Sequence, residues 1–174
     1  GTSWLLGDYR LLYGGIDSDG TTRRLRQPNG IMMNIAERMA TEVACSAVPH
    51  DFVLSADDRR LLPYVEPSFA PESAEGFEVP EAVGHIRDTI QHLHAHLLGE
   101  DLSIDDPEID ATYQLWFDTW NEGRSAVADE AVDANLPWRC QARQDPNTGV
   151  ELPDERRVAR DEAYTIRAWM AVVT

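Results

Sequence analysis

Apolar residues recur along most of this chain at three- and four-residue spacing, and strict alternation is scarce, so the pattern predicts helices and few strands. From Trp4 to Tyr13, Leu5, Tyr9 and Leu12 share a face, with Leu6 and Tyr13 beside it. Gly14-Gly15 ends that segment, and Asp17-Ser18-Asp19-Gly20 reads as a turn. Asn29 precedes a long amphipathic run, about Gly30 to Ala47, with Met32, Ile35, Met39 and Val43 on one face. Pro49 is expected to stop it. Ser55-Ala56-Asp57-Asp58 has the form of a helix N-terminus and predicts a short helix ending near Leu62-Pro63.

The clearest helix runs over 81–98. Pro80-Glu81 opens it, Gly99 closes it, and Ile86, Ile90, Leu93 and Leu97 keep 4-3-4 spacing. Asp106-Pro107-Glu108 starts another, where acids suit the helix dipole and Pro sacrifices no bonded amide. Its apolar face is Ile109, Tyr113, Trp116 and Trp120, with Phe117 alongside, and a weaker helix follows Gly123 from Ala126 to Val132. Residues 136–154 read as irregular. A last helix, starting near Asp154 or Asp161, carries Val158, Ile166, Trp169 and Val173. The expected fold is all-α: an irregular array of five or six helices with long ordered loops at 14–28, 48–80 and 134–156, too long for a regular bundle.

At 174 residues the chain suits a single helical domain spanning 1–174. Gly1 stands where a start methionine would be, and the apolar run Ala168-Trp169-Met170-Ala171-Val172-Val173 meets no capping Gly, so a fragment of a larger protein is expected. Thirty-one acids against fifteen bases give a net charge of −16, and every base is Arg. Such a chain repels phosphate backbones, so nucleic acid is not an expected partner. No apolar run is long enough for membrane insertion by this segment. The acidic, Lys-free composition fits a saline source such as a marine bacterium, or codon drift in a GC-rich genome.

Cys45 and Cys140 belong to no C-x-x-C pair, and C-x-x-C-H is absent, which excludes a zinc ribbon and a c-type haem site within this chain. They are either one disulfide closing a long loop or two buried small hydrophobes. The export-like surface favours the disulfide.

Chemistry is concentrated on the 81–98 helix. His92 and His96, at i and i+4, project from one face, His85 returns to it two turns earlier, and Asp88 lies between. Two imidazoles so spaced can present a transition metal, making His85, Asp88, His92 and His96 the candidate metal ligands. Against this, the residues between His92 and His96 are Leu93, His94 and Ala95, with no glutamate base, and the stripe borders the core row. Boundary histidines bonded to backbone or carboxylates are the simpler reading, and no cofactor is required. Asp17–Gly20 and Asp145–Gly149 invite calcium, but the twelfth positions are Pro28 and Arg156, so ordinary turns are expected. Arg23, Arg24 and Arg26 form a basic cluster able to bind an anion or acidic glycan, although pairing with the protein's own acids is the plainer role. Neither a phosphate-binding glycine loop nor G-x-S-x-G occurs, and no catalytic residue is identified.

Several strings occur together: Tyr13-Gly14-Gly15-Ile16-Asp17-Ser18, Arg38-Met39-Ala40 through Cys45, Leu93-His94 leading to Leu98-Gly99-Glu100, and Tyr164-Thr165-Ile166-Arg167-Ala168-Trp169-Met170. Together they resemble a segment of large uncharacterised exported proteins of planctomycetes, myxobacteria and marine proteobacteria. Those proteins join modules of unknown function, sometimes with a cytochrome-c-like domain. The resemblance implies a periplasmic or extracellular, multi-domain setting, with any haem in another module, and carries over no catalytic residue. The expected function is a non-catalytic helical module that packs against other domains of its parent or binds a partner. The alternatives are a metal-dependent hydrolytic or redox domain using the His/Asp stripe, and acidic-glycan binding through the Arg cluster.

Overall fold

The computed structural model describes Tyr9, Tyr13, Gly15, Arg23, Gln27 and residues 29–73 and 75–174. The expected first helix, Trp4 to Tyr13, and the Asp17–Gly20 turn fall largely or wholly outside these residues. The described part is mostly helical, with four α-helices: α1 (Gly30–Val53), α2 (Pro80–Leu93), α3 (Pro107–Ala128) and α4 (Thr165–Val173). The all-α class stands, while the described residues give four helices where five or six are expected. The chain divides into two compact units, residues 1–43 with Thr174, and Ala44–Val173.

In the first unit Asn29 caps α1, its side chain accepting from the Met32 amide at 2.9 Å. Tyr9 is buried and its hydroxyl donates to Glu42 at 2.7 Å, a bond that is the largest influence raising the phenol above its ordinary value. Helix α1 runs past the expected stop, because Pro49 lies inside it. A mid-helix Pro costs about 3 kcal/mol. Burial of Val48, Phe52 and Val53 from the same turns supplies the offset.

The second unit has one main core, drawn from the last turns of α1, the faces of α2, α3 and α4, and Leu62, Val65 and Leu136 from the loops. Helix α3 packs against both α2 and α4. Trp116, Trp120 and Trp169 are at most 1% exposed; the first two stack at 6.0 Å and Trp116 meets Trp169 at 5.5 Å. Asp106 caps α3 through the Glu108 amide with Pro107 in the first turn, as its sequence predicts. The weaker helix expected after Gly123 is instead a continuation of α3 to Ala128. Gly123 is buried there for a packing reason: a Cβ would overlap the Tyr164 ring. Tyr164 itself holds φ 60°, a left-handed conformation that costs a residue with a Cβ about 1–2 kcal/mol.

The short helix expected from Ser55 to Leu62 shrinks to a 3₁₀ turn, Ala56–Asp58. The last helix begins later than expected, at Thr165, because Val158 pairs with Ala142 in an isolated antiparallel bridge. Buried Asp161 caps α4, accepting from the Ile166 and Arg167 amides at 3.1 and 2.9 Å. Burial, the largest influence, raises its carboxyl above the ordinary value, and those amides oppose the shift. Further bridges join Asn135 to Arg160, Gln144 to Glu151 and Glu72 to Glu78, and no strand forms among the described residues.

Cys45 of α1 and Cys140 are disulfide-bonded, across 95 positions of sequence. Replacing both with Ala is expected to lower the unfolding free energy by about 4–5 kcal/mol, the loop-closure value for that span. Urea denaturation measures it, and a loss under about 2 kcal/mol would show that the unfolded chain already holds these segments together. Gly123→Ala is expected to cost about 1–3 kcal/mol through overpacking. The same change made in a Tyr164→Gly background should cost less than about 1 kcal/mol, because the ring is gone.

Candidate functional site

Helix α2 carries the histidines, and its end is unusual. After Leu93 the backbone makes a π turn, His94–Leu98, before Gly99 at φ 71° closes it. One extra residue per turn advances the phase of every later side chain. Ile86, Ile90 and Leu93 therefore keep the buried row, whereas Leu97, expected next in it, is 49% exposed. His94 is buried in its stead at 7% exposure.

A cleft of about 450 Å³ lies beside this turn, lined by Tyr64, Asp88, Gln91, His92, Ala95, Glu100, Asp101 and Leu102. Gln91 fixes its far wall by donating to the Leu102 carbonyl at 2.7 Å. The Nε2 of His92 donates to the Arg60 carbonyl at 2.8 Å, so its neutral ring keeps the lone pair on Nδ1. Tyr64 meets that ring edge-on at 6.1 Å, and His96 stacks on it at 5.3 Å with an 11° interplanar angle.

The four stripe residues are thus placed but do not converge. His85 packs on Phe69 at 5.7 Å, about 10 Å along the helix from His92 by the rise of seven residues. Parallel rings on His92 and His96 face each other rather than aiming lone pairs at one point. Among the described residues, no three His, Cys, Asp or Glu side chains group to hold a metal ion. Asp88 and His92 share the cleft, His85 and His96 do not line it.

His94, passed over in the sequence, makes the more specific contacts. Its Nδ1 lies 2.8 Å from Glu100 Oε2 and its Nε2 3.2 Å from Thr112 Oγ1 on α3. A carboxylate only accepts, so Nδ1 carries the proton and Nε2 accepts from the Thr112 hydroxyl in the neutral ring. Hydroxyl, imidazole and carboxylate follow one another in the order used by hydrolytic triads. Neither His94 nor Thr112 lines the cleft, however, and the chain of bonds ties the π turn to α3. The signal that could have found it is Gly99-Glu100, which ends the helix and returns a carboxylate to the buried ring.

Asp145–Gly149 is the ordinary turn expected: Asp145 accepts from the Asn147 and Thr148 amides at 2.9 and 3.0 Å, and Gly149 takes φ 70°. Those bonds, Thr148's first, hold its carboxyl below the ordinary value. Of the basic cluster Arg23 is described and exposed, while Arg24 and Arg26 lie outside the described residues. The chain matches no protein-family model, no curated protein and no solved structure.

Removing the buried imidazole by His94→Ala is expected to cost about 2–3 kcal/mol, since Thr112 and Glu100 both lose a partner. A double-mutant cycle with Glu100→Gln, read by denaturation, should return a coupling of about 1 kcal/mol, and additive costs would show that the two side chains act independently.

Proposed function

We propose that this chain is a non-catalytic, disulfide-stapled helical module of an exported multi-domain protein, acting in domain packing or partner binding. The observation that carries the reading is the presentation of two large aromatics to water from bonded loops. Phe77 is 71% exposed and Trp138 70%. The Phe77 loop is closed by a Ser73 amide to Phe77 carbonyl bond of 2.8 Å and a Val79 amide to Pro71 carbonyl bond of 2.8 Å. Trp138 opens the 3₁₀ turn that ends on the disulfide. Aromatic side chains held out on ordered backbone bring contact area at little entropic cost when a partner covers them. The histidines of α2 and its π turn, by contrast, bond or stack within the protein. A disulfide is retained in oxidising compartments, which supports export. No helix among the described residues is long and apolar enough to cross a membrane.

Photo-crosslinking in the native host tests this. A photoreactive phenylalanine analogue at position 77 or 138 is expected to give a discrete adduct, and one at solvent-facing Gln114 of α3 is not. Equal silence at 77 and 138 overturns the reading. So does a stoichiometric transition metal that survives dialysis of the wild-type protein and is lost from His92→Gln/His96→Gln, which would restore the His85/Asp88/His92/His96 metal reading.

A further inference from the structure

The segment from Ala134 to Gln144 contains two arginines and no acid, in a chain with thirty-one acids. It is built around Trp138. The Arg143 guanidinium lies 3.6 Å from the centroid of the Trp138 ring. Arg143 is itself held, its Nε donating to Gln141 Oε1 at 2.8 Å, while Gln141 Nε2 donates to the Leu136 carbonyl at 2.7 Å. The indole therefore has one face backed by a fixed cation, and its 70% exposure leaves the other open. The Cys140 disulfide anchors the same turn.

The charges here are also unspent. Elsewhere Arg59, Arg87, Arg124, Arg157 and Arg160 each pair with a carboxylate. Among the described residues, neither Arg139 nor Arg143 does. The acids at either end of the segment are already engaged. Asp133 accepts from Asn135, Asp145 from the Asn147 and Thr148 amides, and Glu151 pairs with Arg157 at 2.9 Å.

We infer that Trp138, Arg139 and Arg143 form a binding platform for a polysaccharide bearing uronate residues. The apolar C–H face of a pyranose ring stacks on the open indole face, and carboxylates of the neighbouring sugars, reaching past the edge of the indole, take the free guanidinium donors, whose fork matches a carboxylate. A flat exposed ring suits a repeating chain, which needs a surface rather than an enclosing pocket. The net charge of −16 opposes any polyanion at long range, but at about 0.15 M salt the screening length is about 8 Å, so acids farther than that from the platform contribute little. The inference rests on reading the chain as a binding module, and it places the anion site away from Arg23, Arg24 and Arg26.

The test is calorimetric titration of the intact, oxidised chain with polygalacturonate at about 0.15 M salt. Two controls separate the chemistry: fully methyl-esterified polygalacturonate keeps the ring face and loses the charge, and poly-glutamate keeps the charge and loses the ring. Binding of polygalacturonate, weakened at least about tenfold by Trp138→Ala, by Arg139→Gln/Arg143→Gln and by either control polymer, is the expected result. Because these side chains are exposed or peripheral, unchanged near-UV circular dichroism and urea midpoints should accompany the loss. No binding, binding untouched by Trp138→Ala, or equal affinity for poly-glutamate overturns the platform and leaves the module reading standing. Polymer binding with release of new reducing ends supports the platform and overturns the non-catalytic reading instead.

Discussion

Long loops must satisfy their own backbone, and that requirement organises the second unit. Residues 54–73, 75–79 and 129–164 run with little regular structure past a buried core, where an unpaired amide or carbonyl is costly. Two buried aspartates take the amides. Asp51 accepts from Arg60, Leu61 and Leu62, and Asp161 from Ile166 and Arg167. Arginines take the carbonyls: Arg59 reaches Leu54 and Val65, Arg87 reaches Ile104, and Arg167 reaches Asp133 and Asn135. A planar fork with five donors can bridge two loop carbonyls and a carboxylate together, which a single ammonium on a flexible stem does less well. The Lys-free composition, which by itself suggests only habitat or codon usage, thus has a structural use.

The core these loops enclose is aromatic. Trp116, Trp120 and Trp169 bury large apolar surfaces between α3 and α4, but their indole N–H groups meet no acceptor among the described residues. Burial of one such large side chain returns about 1.5–3 kcal/mol. The Cys45–Cys140 bridge acts on the other side of the balance, by restricting the unfolded chain rather than improving the core. Gly123 and Tyr164 show the same close fit locally, since α4 begins where a strained Tyr ring occupies the space of an absent Cβ.

The candidate site was legible in outline, and its contacts were not. Helical spacing correctly located the histidines on one element and put Asp88 and His92 together at its surface. It could not anticipate the π turn, because periodicity assumes a constant 3.6 residues per turn. The inserted residue turned Leu97 outward, while His94, four residues after Ile90 and at the start of the turn, packs inward and is the imidazole with two side-chain partners. Trp138 was likewise invisible as a surface feature: an aromatic in an irregular stretch carries no period, so nothing along the chain says whether it points in or out.

What the sequence by itself determined is what local physics controls. The all-α class, the caps at Asn29 and Asp106, the opening and closing of the 81–98 segment at Pro80 and Gly99, and the buried face of α3 all follow from neighbours within a turn or two. The tertiary structure decided the rest. It carried α1 through Pro49, reduced Ser55–Leu62 to a single turn, delayed α4 to Thr165 and paired Cys45 with Cys140. Each of these depends on atoms distant in sequence, where burial and long-range bonding worth several kcal/mol outweigh local preferences of about one.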